Sequence, residues 1–565
     1  MTAAIVRRVV PDAHARLAAA GVPPVLARIY AARGIASADE LDHALAALPT
    51  FASLRGIDAA AVRLAAAIDA GERIVVVADY DADGATACAV AVLGLRALGG
   101  TVDYVVPNRF EFGYGLTPEI VALAAERAPR LLVTVDNGIA SHDGVAAAAA
   151  RGIDVLITDH HLPAATLPAP AIIVNPNQPG CGFPSRHLAG VGVMFYVLLA
   201  LRAHLREAGR LPPAGGPHLG ALLDLVALGT VADVVRLDHV NRILVEQGLA
   251  RLRDGRGRPG IAALFRVAGR DIRRATSGDL GFVAGPRLNA AGRLADMSLG
   301  IRCLLADSDA DATPLAAELD RLNRERRGVE ATMQAEALAA LESATVDADA
   351  YTVCVYQPQW HAGVVGIVAA RLKDRYHRPA MVFARAADGS LKGSGRSIEG
   401  LHLRDALDRV AKIAPGVLER YGGHAFAAGA SVPEAQLGAF AVAFEDVARA
   451  TITPEHLRRV HASDGELAPG ALTFGLAQAI RAGVWGQGLP APAFDGEFAV
   501  GGQRRVGERH QRLTLERGGE RFEAIAFNQP DPLPGRVRAL YRPEVAEWNG
   551  LLSLELVIEH WEAVA

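Results

Sequence analysis

Short apolar runs alternate with longer helical stretches through the first half of the chain. Ile74-Val75-Val76-Val77 reads as a buried strand, followed by a polar, Gly-containing turn and an apolar helix from about Thr86 to Leu98. Val102 to Val106 forms the next strand and ends at Pro107; Leu131 to Val135, Val155 to Thr158 and Ile172 to Val174 supply three more. Unbroken apolar strands separated by helices predict a parallel sheet covered on both faces, an α/β architecture. Ahead of it, residues 1 to about 50 are Ala-rich and read as helical, with a break at Pro23 and Pro24.

The pattern changes downstream. A Pro/Gly loop covers residues 207 to 219, and a helix then carries Leu222 to Val235. Residues 315 to 342 form a long helical run of mixed charge that predicts a connection between two lobes. Val353 to Tyr356 opens a second α/β unit, with a helix at Val364 to Arg371 and a strand at Ala380 to Phe383. After a loop-rich stretch containing Gly486, Gly488, Pro490 and Pro492, the tail from about 496 alternates apolar and polar positions in short segments, the signature of a small β barrel or sandwich. The expected map is an N-terminal helical segment (1–50), a parallel-sheet domain (51–300), a connecting helix (301–345), a second α/β domain (346–450) and a barrel domain with its linker (451–565).

Composition narrows the class. A chain of 565 residues exceeds one compact core, and 51% hydrophobic with 21% charged residues is a folding mixture. Mean hydropathy is slightly positive at +0.20, yet no apolar run is long enough for a bilayer, and Met1 to Val10 lacks the apolar stretch of a secretion signal. Cys88, Cys181, Cys303 and Cys354 form no CxxC pair, which argues against a thiolate zinc site or a disulfide scaffold and for reduced thiols in a cytoplasmic protein. A net charge of −4 does not announce a nucleic-acid binder, so any such contact must come from local clusters.

The acids carry the chemistry. Asp79, Asp81 and Asp83 sit in DYDADG just after the first strand; Asp136, in VTVDNG, follows a later strand; Asp159, His160 and His161 follow the next. Parallel strand ends open on one edge, the usual location of a site in such sheets. Five carboxylates and two imidazoles therefore share one crevice, where like charges repel strongly unless divalent cations intervene. Mixed carboxylate and imidazole donors suit Mn²⁺ or a similar ion better than Ca²⁺. Asp233 closes an apolar segment (LGTVADVV); Asp224, upstream, reads as a polar-face residue.

These motifs resemble the DHH phosphoesterase superfamily. DYDADGATA is similar to its first motif, VTVDNGI to the second, TDHH to the third and LVALGTVADVV to the fourth. Further segments narrow the likeness to the RecJ family of exonucleases: NPNQPG (175–180), LAGVGV (188–193) and GPRLNAAGRL (285–294), then WHAGVVGIVAARL (360–372), KGSGRS (392–397) and YGGHAFAAG (421–429), which resemble a DHHA1 domain, and GQGLPAPAF (486–494), which resembles the start of the OB-fold region. The likeness covers nearly the whole chain. It implies a DHH domain, a connecting helix, a DHHA1 domain and an OB-like β barrel, with the two lobes forming a channel too narrow for duplex.

The resemblance also implies an activity: 5′→3′ release of nucleoside 5′-monophosphates from single-stranded DNA, in DNA repair and recombination, by two-metal hydrolysis with Mn²⁺ or Mg²⁺. The implied metal ligands are Asp79, Asp81, Asp83, Asp136, His160 and Asp233. Asp136 is the candidate bridge, and Asp81, Asp83, Asp136, His160 and His161 are the catalytic set. His161 is left between a phosphate contact and a partner orienting His160, a task that also suits Asp159. Some superfamily members place a His where this chain has Val77, so one ion is expected to be held weakly until substrate arrives. Arg109, Tyr114, Arg287, Asn289, Arg293, Ser394, Arg396 and His424 are the expected DNA contacts, with Ser394 and Arg396 approaching from the second lobe. Arg504, Arg505, Arg509 and His510 could track a strand by charge. Expected partners are single-stranded DNA with a 5′ end, a single-strand-binding protein and a RecQ-type helicase; a monomer with no membrane is expected. The alternatives are a DHH enzyme that cuts short RNA or cyclic dinucleotides, and a replication scaffold without catalysis.

Overall fold

The computed structural model describes residues 4–107, 115–212, 215–343, 349–360, 365–386 and 389–564. Two compact units emerge. The larger comprises Arg8–Asn323 and Asp464–Ala565, the smaller Met1–Arg7 and Arg324–Ser463.

The chain opens with a strand, β1 (Ala4–Arg7), and then with α1 (Ala13–Ala19) and α2 (Pro24–Ala31). The expectation of an all-helical first fifty residues is therefore corrected at its start. The partner of β1 lies more than four hundred residues away, and no local pattern reveals such a pairing. Pro24 begins α2 at a position where a missing N–H costs nothing. The helix is anchored by Arg33, which makes a paired contact to Asp464 (2.7 and 2.8 Å) and donates to the Pro490 carbonyl.

After α3 (Ile57–Asp69), five strands form a wholly parallel sheet: β2 (Arg73–Ala78), β3 (Thr101–Val105), β4 (Leu131–Val135), β5 (Asp154–Thr158) and β6 (Ile172–Val174). The spatial order is β3-β2-β4-β5-β6. The helices α4 (Ala82–Ala97), α5 (Pro118–Ala125) and α6 (His142–Ala149) connect its strands. Alternate residues of β2 enter different cores, Ile74 and Val76 on one face, Val75 and Val77 on the other, which is why the strand is apolar throughout. The chain steps outward from β2 to β3 and then returns to the other side of β2 as β4. This switch point opens a crevice at the carboxyl ends of β2 and β4.

Helices then cover one face: α7 (Gly190–Glu207), α8 (Leu223–Ala232), α9 (His239–Arg253), α10 (Pro259–Val267) and α11 (Gly285–Leu294). The helix α4 starts four residues earlier than its apolar pattern suggests, because Asp81 accepts from the Asp83 and Gly84 amides and caps it. The helix α8 stops at Ala232, before the expected Val235, where Val234 adopts a left-handed φ of 62°. A long helix, α12 (Asp309–Ser343), carries the chain into the smaller unit.

The smaller unit holds β7 (Val353–Tyr356), α13 (Val365–Tyr376), β8 (Ala380–Arg385), β9 (Leu391–Arg396), α14 (Leu403–Ile413), β10 (Arg420–Gly423), β11 (Ala427–Val432), α15 (Leu437–Arg449) and β12 (Val460–Ser463). Its sheet runs β10-β11-β9-β8-β7, and β12 pairs in parallel with β1. KGSGRS lies mostly on β9, a strand its glycines conceal from propensity. The chain then returns to the larger unit through α16 (Phe474–Ala482) and ends in β13 (Phe494–Val506), β14 (His510–Arg517), β15 (Glu520–Ala526), β16 (Arg536–Trp548) and β17 (Leu551–Ala563). These close into a barrel, which decides between barrel and sandwich. Phe494, Phe498, Leu513, Leu515 and Tyr541 fill it.

Candidate metal centre

The crevice gathers the acids of three strand ends. Asp79, Asp81 and Asp83 follow β2, Asp136 follows β4, Asp159, His160 and His161 follow β5, and Asp233 caps the C-terminus of α8. Candidate ligand atoms fall into three overlapping sets, each within 4.8 Å: Asp79, Asp81 and Asp136; Asp83, His160 and Asp233; and Asp136, His160 and His161. The structure thus brings together every proposed metal ligand.

Each side chain is held by local chemistry. One oxygen of Asp81 caps α4, accepting from Asp83 N–H (2.9 Å) and Gly84 N–H (3.0 Å). Asp83 is buried and accepts from the Gly190 (2.6 Å) and Val191 (2.9 Å) amides, one on each oxygen. Asp136 sits at φ 62°, a left-handed conformation that Asp and Asn tolerate better than most residues. Asn137 braces that turn by donating to the Val77 and Val135 carbonyls. His160 Nε2 lies 3.1 Å from Asp136, 3.4 Å from Asp233 and 3.9 Å from Asp83.

Asp159 faces the other way. It accepts from the Ile139, His160 and His161 amides and from His161 Nδ1 (2.7 Å), so both of its oxygens are engaged within the protein. It orients His161 and does not join the ligand sets. Asn177 donates to the His160 carbonyl (2.6 Å) and Asn175 to that of His161 (2.9 Å), which clamps the backbone of the histidine pair. Val77, where some relatives carry a His, points into the apolar core. Asp224 is buried and accepts from Arg258 N–H (2.7 Å) beside the start of α10, a structural role.

The electrostatics match a cation site. Burial, then the Asp81 charge, pushes the Asp83 carboxyl up to about 7. Burial and the surrounding carboxylates push Asp136 and Asp233 well above the carboxylate range. Burial, then His161, pushes His160 down to about 4, so its imidazole is neutral near pH 7, and its buried Nε2 makes no hydrogen bond while facing three carboxylates. Burial also works against protonation of His161, but the hydrogen bond and charge of Asp159 outweigh it and raise its pKa. Hard carboxylate oxygens and a deprotonated imidazole nitrogen crowded together are the donor set of a divalent cation, which would remove the repulsion. The residues fit such a group.

The expected DNA contacts divide. Arg287 is buried, pairs with Asp320 (2.8 Å) and donates to the Val283 carbonyl (2.7 Å), so its guanidinium is committed inside the protein. Asn289 accepts from Ala82 N–H (2.8 Å) and thereby holds the DYDADG loop. Arg293 is half-buried on the same helix, α11. In the smaller unit, Ser394 and Arg396 stand two residues apart on β9, where Arg396 donates to the Ser394 hydroxyl (3.2 Å) and burial lowers its pKa. Gly366, in the first turn of α13, is where a Cβ would meet both side chains. His424 is exposed in the β10–β11 turn. Arg109 and Tyr114 lie outside the described residues. Sequence reasoning missed Asn137, Asn175, Asn177, Gly190 and Val191; the only signal for them was that four fall in the motif stretches NPNQPG and LAGVGV, and Asn137 follows Asp136 in VTVDNG.

A parallel sheet carrying acids and a DHH pair at its switch point defines a phosphoesterase-type metal fold of the DHH class. Comparison with known families agrees: the DHH family N-terminal domain matches residues 73–230, the DHHA1 domain 349–450 and the RecJ OB domain 463–560. The chain belongs to the RecJ family. It is 51% identical over 552 residues to the single-stranded-DNA-specific exonuclease RecJ of Dickeya dadantii (strain 3937), covering 95% of this chain and 96% of that one. It is 49% identical to the protein of the same name from Escherichia coli (strain K12), covering 96% of each. The crystal structure of RecJ from Thermus thermophilus in complex with Mn²⁺ superimposes with a TM-score of 0.82 at 32% identity, covering 100% of this chain and 79% of that one.

Proposed function

We propose that this chain is a single-stranded-DNA-specific exonuclease that hydrolyses phosphodiester bonds from the 5′ end and releases nucleoside 5′-monophosphates, in DNA repair and recombination. The observation that carries this reading is the convergence of Asp79, Asp81, Asp83, Asp136, His160 and Asp233 on one crevice, within a family whose relatives are named single-stranded-DNA-specific exonucleases. Those six residues would hold two divalent ions, Mn²⁺ or Mg²⁺, and Asp136 belongs to two of the three candidate ligand sets. Bound there, the ions supply Lewis acidity toward the phosphate and lower the pKa of water.

The chain's own groups do the rest. Asp159 fixes His161 through Nδ1 and so orients the ring as a candidate donor toward a phosphate oxygen. Asp159 also keeps that ring protonated to a higher pH than a free histidine. Asn289 and the α7 amides hold the loop that carries Asp81 and Asp83. Ser394, Arg396 and the α13 N-terminal turn are the candidate grip for a 5′-terminal phosphate, with His424 and Arg293 as further candidate strand contacts. Arg504, Arg505, Arg509 and His510, on the barrel, are a candidate track for the strand. Family likeness supports a single-strand-binding protein and a RecQ-type helicase as partners, and a monomer acting in the cytoplasm. No helix among the described residues is long and apolar enough to cross a membrane.

The test is digestion of a long single strand carrying a 5′-phosphate, labelled at either end, beside a duplex and a dinucleotide. Mononucleotides appearing first from the 5′ label, with the duplex intact, are expected. Release from the 3′ label first would overturn the polarity. Cleavage of the dinucleotide alone would replace this reading with that of a short-oligonucleotide hydrolase.

A further inference from the structure

Asp83 is buried, and the start of α7 helps to enclose it. Its two oxygens accept from two successive amides, Gly190 (2.6 Å) and Val191 (2.9 Å), at the first two positions of an eighteen-residue helix. Those amides have no partner inside the helix, and they lie at its positive end. Fixed in this way, Asp83 keeps lone-pair capacity for the crevice, where its candidate ligand atom lies within 4.8 Å of those of His160 and Asp233.

The same turn also meets Asp136. A Cβ on Gly190 would stand 2.6 Å from Asp136 Cβ and 2.8 Å from its Oδ1. Such contacts are far inside van der Waals distance, and Asp136 is braced by Asn137 and buried, so it has little room to yield. Gly190 is therefore small because α7 must come close enough to donate to one acid while lying against another.

We propose that the Gly190–Val191 turn of α7 is a positioning element that sets the affinity of the crevice for divalent cations, with Gly190 as its positioning residue. This rests on the metal reading given above. Both residues of the turn are buried. It fixes the spacing of Asp83 and Asp136 with backbone atoms, which cannot change rotamer. Loss of a group that orients a metal ligand typically lowers affinity about 10- to 100-fold, and that is the size of effect expected.

The experiment is calorimetric titration of the full chain with Mn²⁺ alone, at pH 7.5, for the parent, Gly190→Ala, Val191→Pro and Gly192→Ala. The Gly190→Ala methyl strikes Asp136. Val191→Pro deletes one donor to Asp83 in the first helical turn, where Pro is tolerated, and α11 accepts the same Gly–Pro pair at Gly285–Pro286. Gly192→Ala adds an equal methyl two residues on, against the flexible end of Leu188 (3.2 Å), and serves as the control. Circular dichroism of the metal-free proteins checks the fold. Mn²⁺ binding weakened about 10- to 100-fold in folded Gly190→Ala and Val191→Pro, with Gly192→Ala unchanged, is the expected result. If Gly190→Ala does not fold, Val191→Pro decides. Parent-like affinity in a folded Val191→Pro or Gly190→Ala, or an equal loss in Gly192→Ala, would overturn the positioning role and leave the metal reading standing. A parent chain that takes up no Mn²⁺ would overturn the metal reading itself.

Discussion

Replacing Asp136 by Asn is expected to stabilise the metal-free chain and to destroy its response to divalent ions. Asn tolerates the left-handed φ of 62° found at this position, so the backbone is preserved. The change removes one negative charge from a set in which the ligand atoms of Asp79, Asp81 and Asp136 lie within 4.8 Å. At an effective dielectric constant of about 20, two unit charges at that separation repel by about 3.5 kcal/mol. Proton uptake relieves part of this, which leaves an expected gain of about 1–3 kcal/mol. The gain depends on pH. Asp83 titrates at about 7 in the folded chain against an ordinary 3.8, so between those values the folded state holds more protons than the unfolded one. Metal-free stability from this cluster is therefore fully present below about pH 4 and is lost as pH rises toward 7. The variant should resemble its parent near pH 4 and exceed it at pH 8. Urea denaturation in EDTA at both pH values measures this. Repeating it with Mn²⁺ at about 100 times its Kd should add about 2.7 kcal/mol to the parent and almost nothing to the variant. A variant less stable than its parent in EDTA at pH 8, or one that gains as much from Mn²⁺, would refute the reasoning.

Three further outcomes can be checked. Asp159→Asn places an NH₂ where a buried carboxylate accepts amides and the His161 ring; kcat is expected to fall about 10- to 100-fold with metal affinity nearly unchanged, measured by steady-state kinetics beside Mn²⁺ titration. Arg33→Ala leaves the buried Asp464 carboxylate to the more distant Arg8 (3.8 Å), and urea denaturation should show a loss of about 3–5 kcal/mol. Arg396→Gln removes a guanidinium from the candidate terminal-phosphate grip, so the advantage of a 5′-phosphate over a 5′-hydroxyl in kcat/KM should shrink about 10-fold or more.

Much of this molecule was legible in the residues because its strands are buried on both faces. The apolar runs at 74–77, 131–135 and 155–158 marked the sheet, and parallel strands put the polar residues that follow them on one edge. Asp79, Asp81, Asp83, Asp136 and His160 therefore converge by topology alone. What local pattern could not show are contacts between distant segments. Asp83 meets Gly190 across 107 positions, and Ala82 meets Asn289 across 207. Neither the amide donors nor the hold of Asn289 on the DYDADG loop has a periodicity to betray it. The β1–β12 pair was hidden for the same reason, and Arg287 could be recognised as a buried ion-pair member only once Asp320 was placed beside it.

The most direct test is an anomalous difference map at the manganese edge from crystals of the chain soaked in Mn²⁺. Peaks bounded by Asp79, Asp81, Asp83, Asp136, His160 and Asp233 are the predicted result. Manganese bound elsewhere, with those six side chains free of any peak, would contradict it.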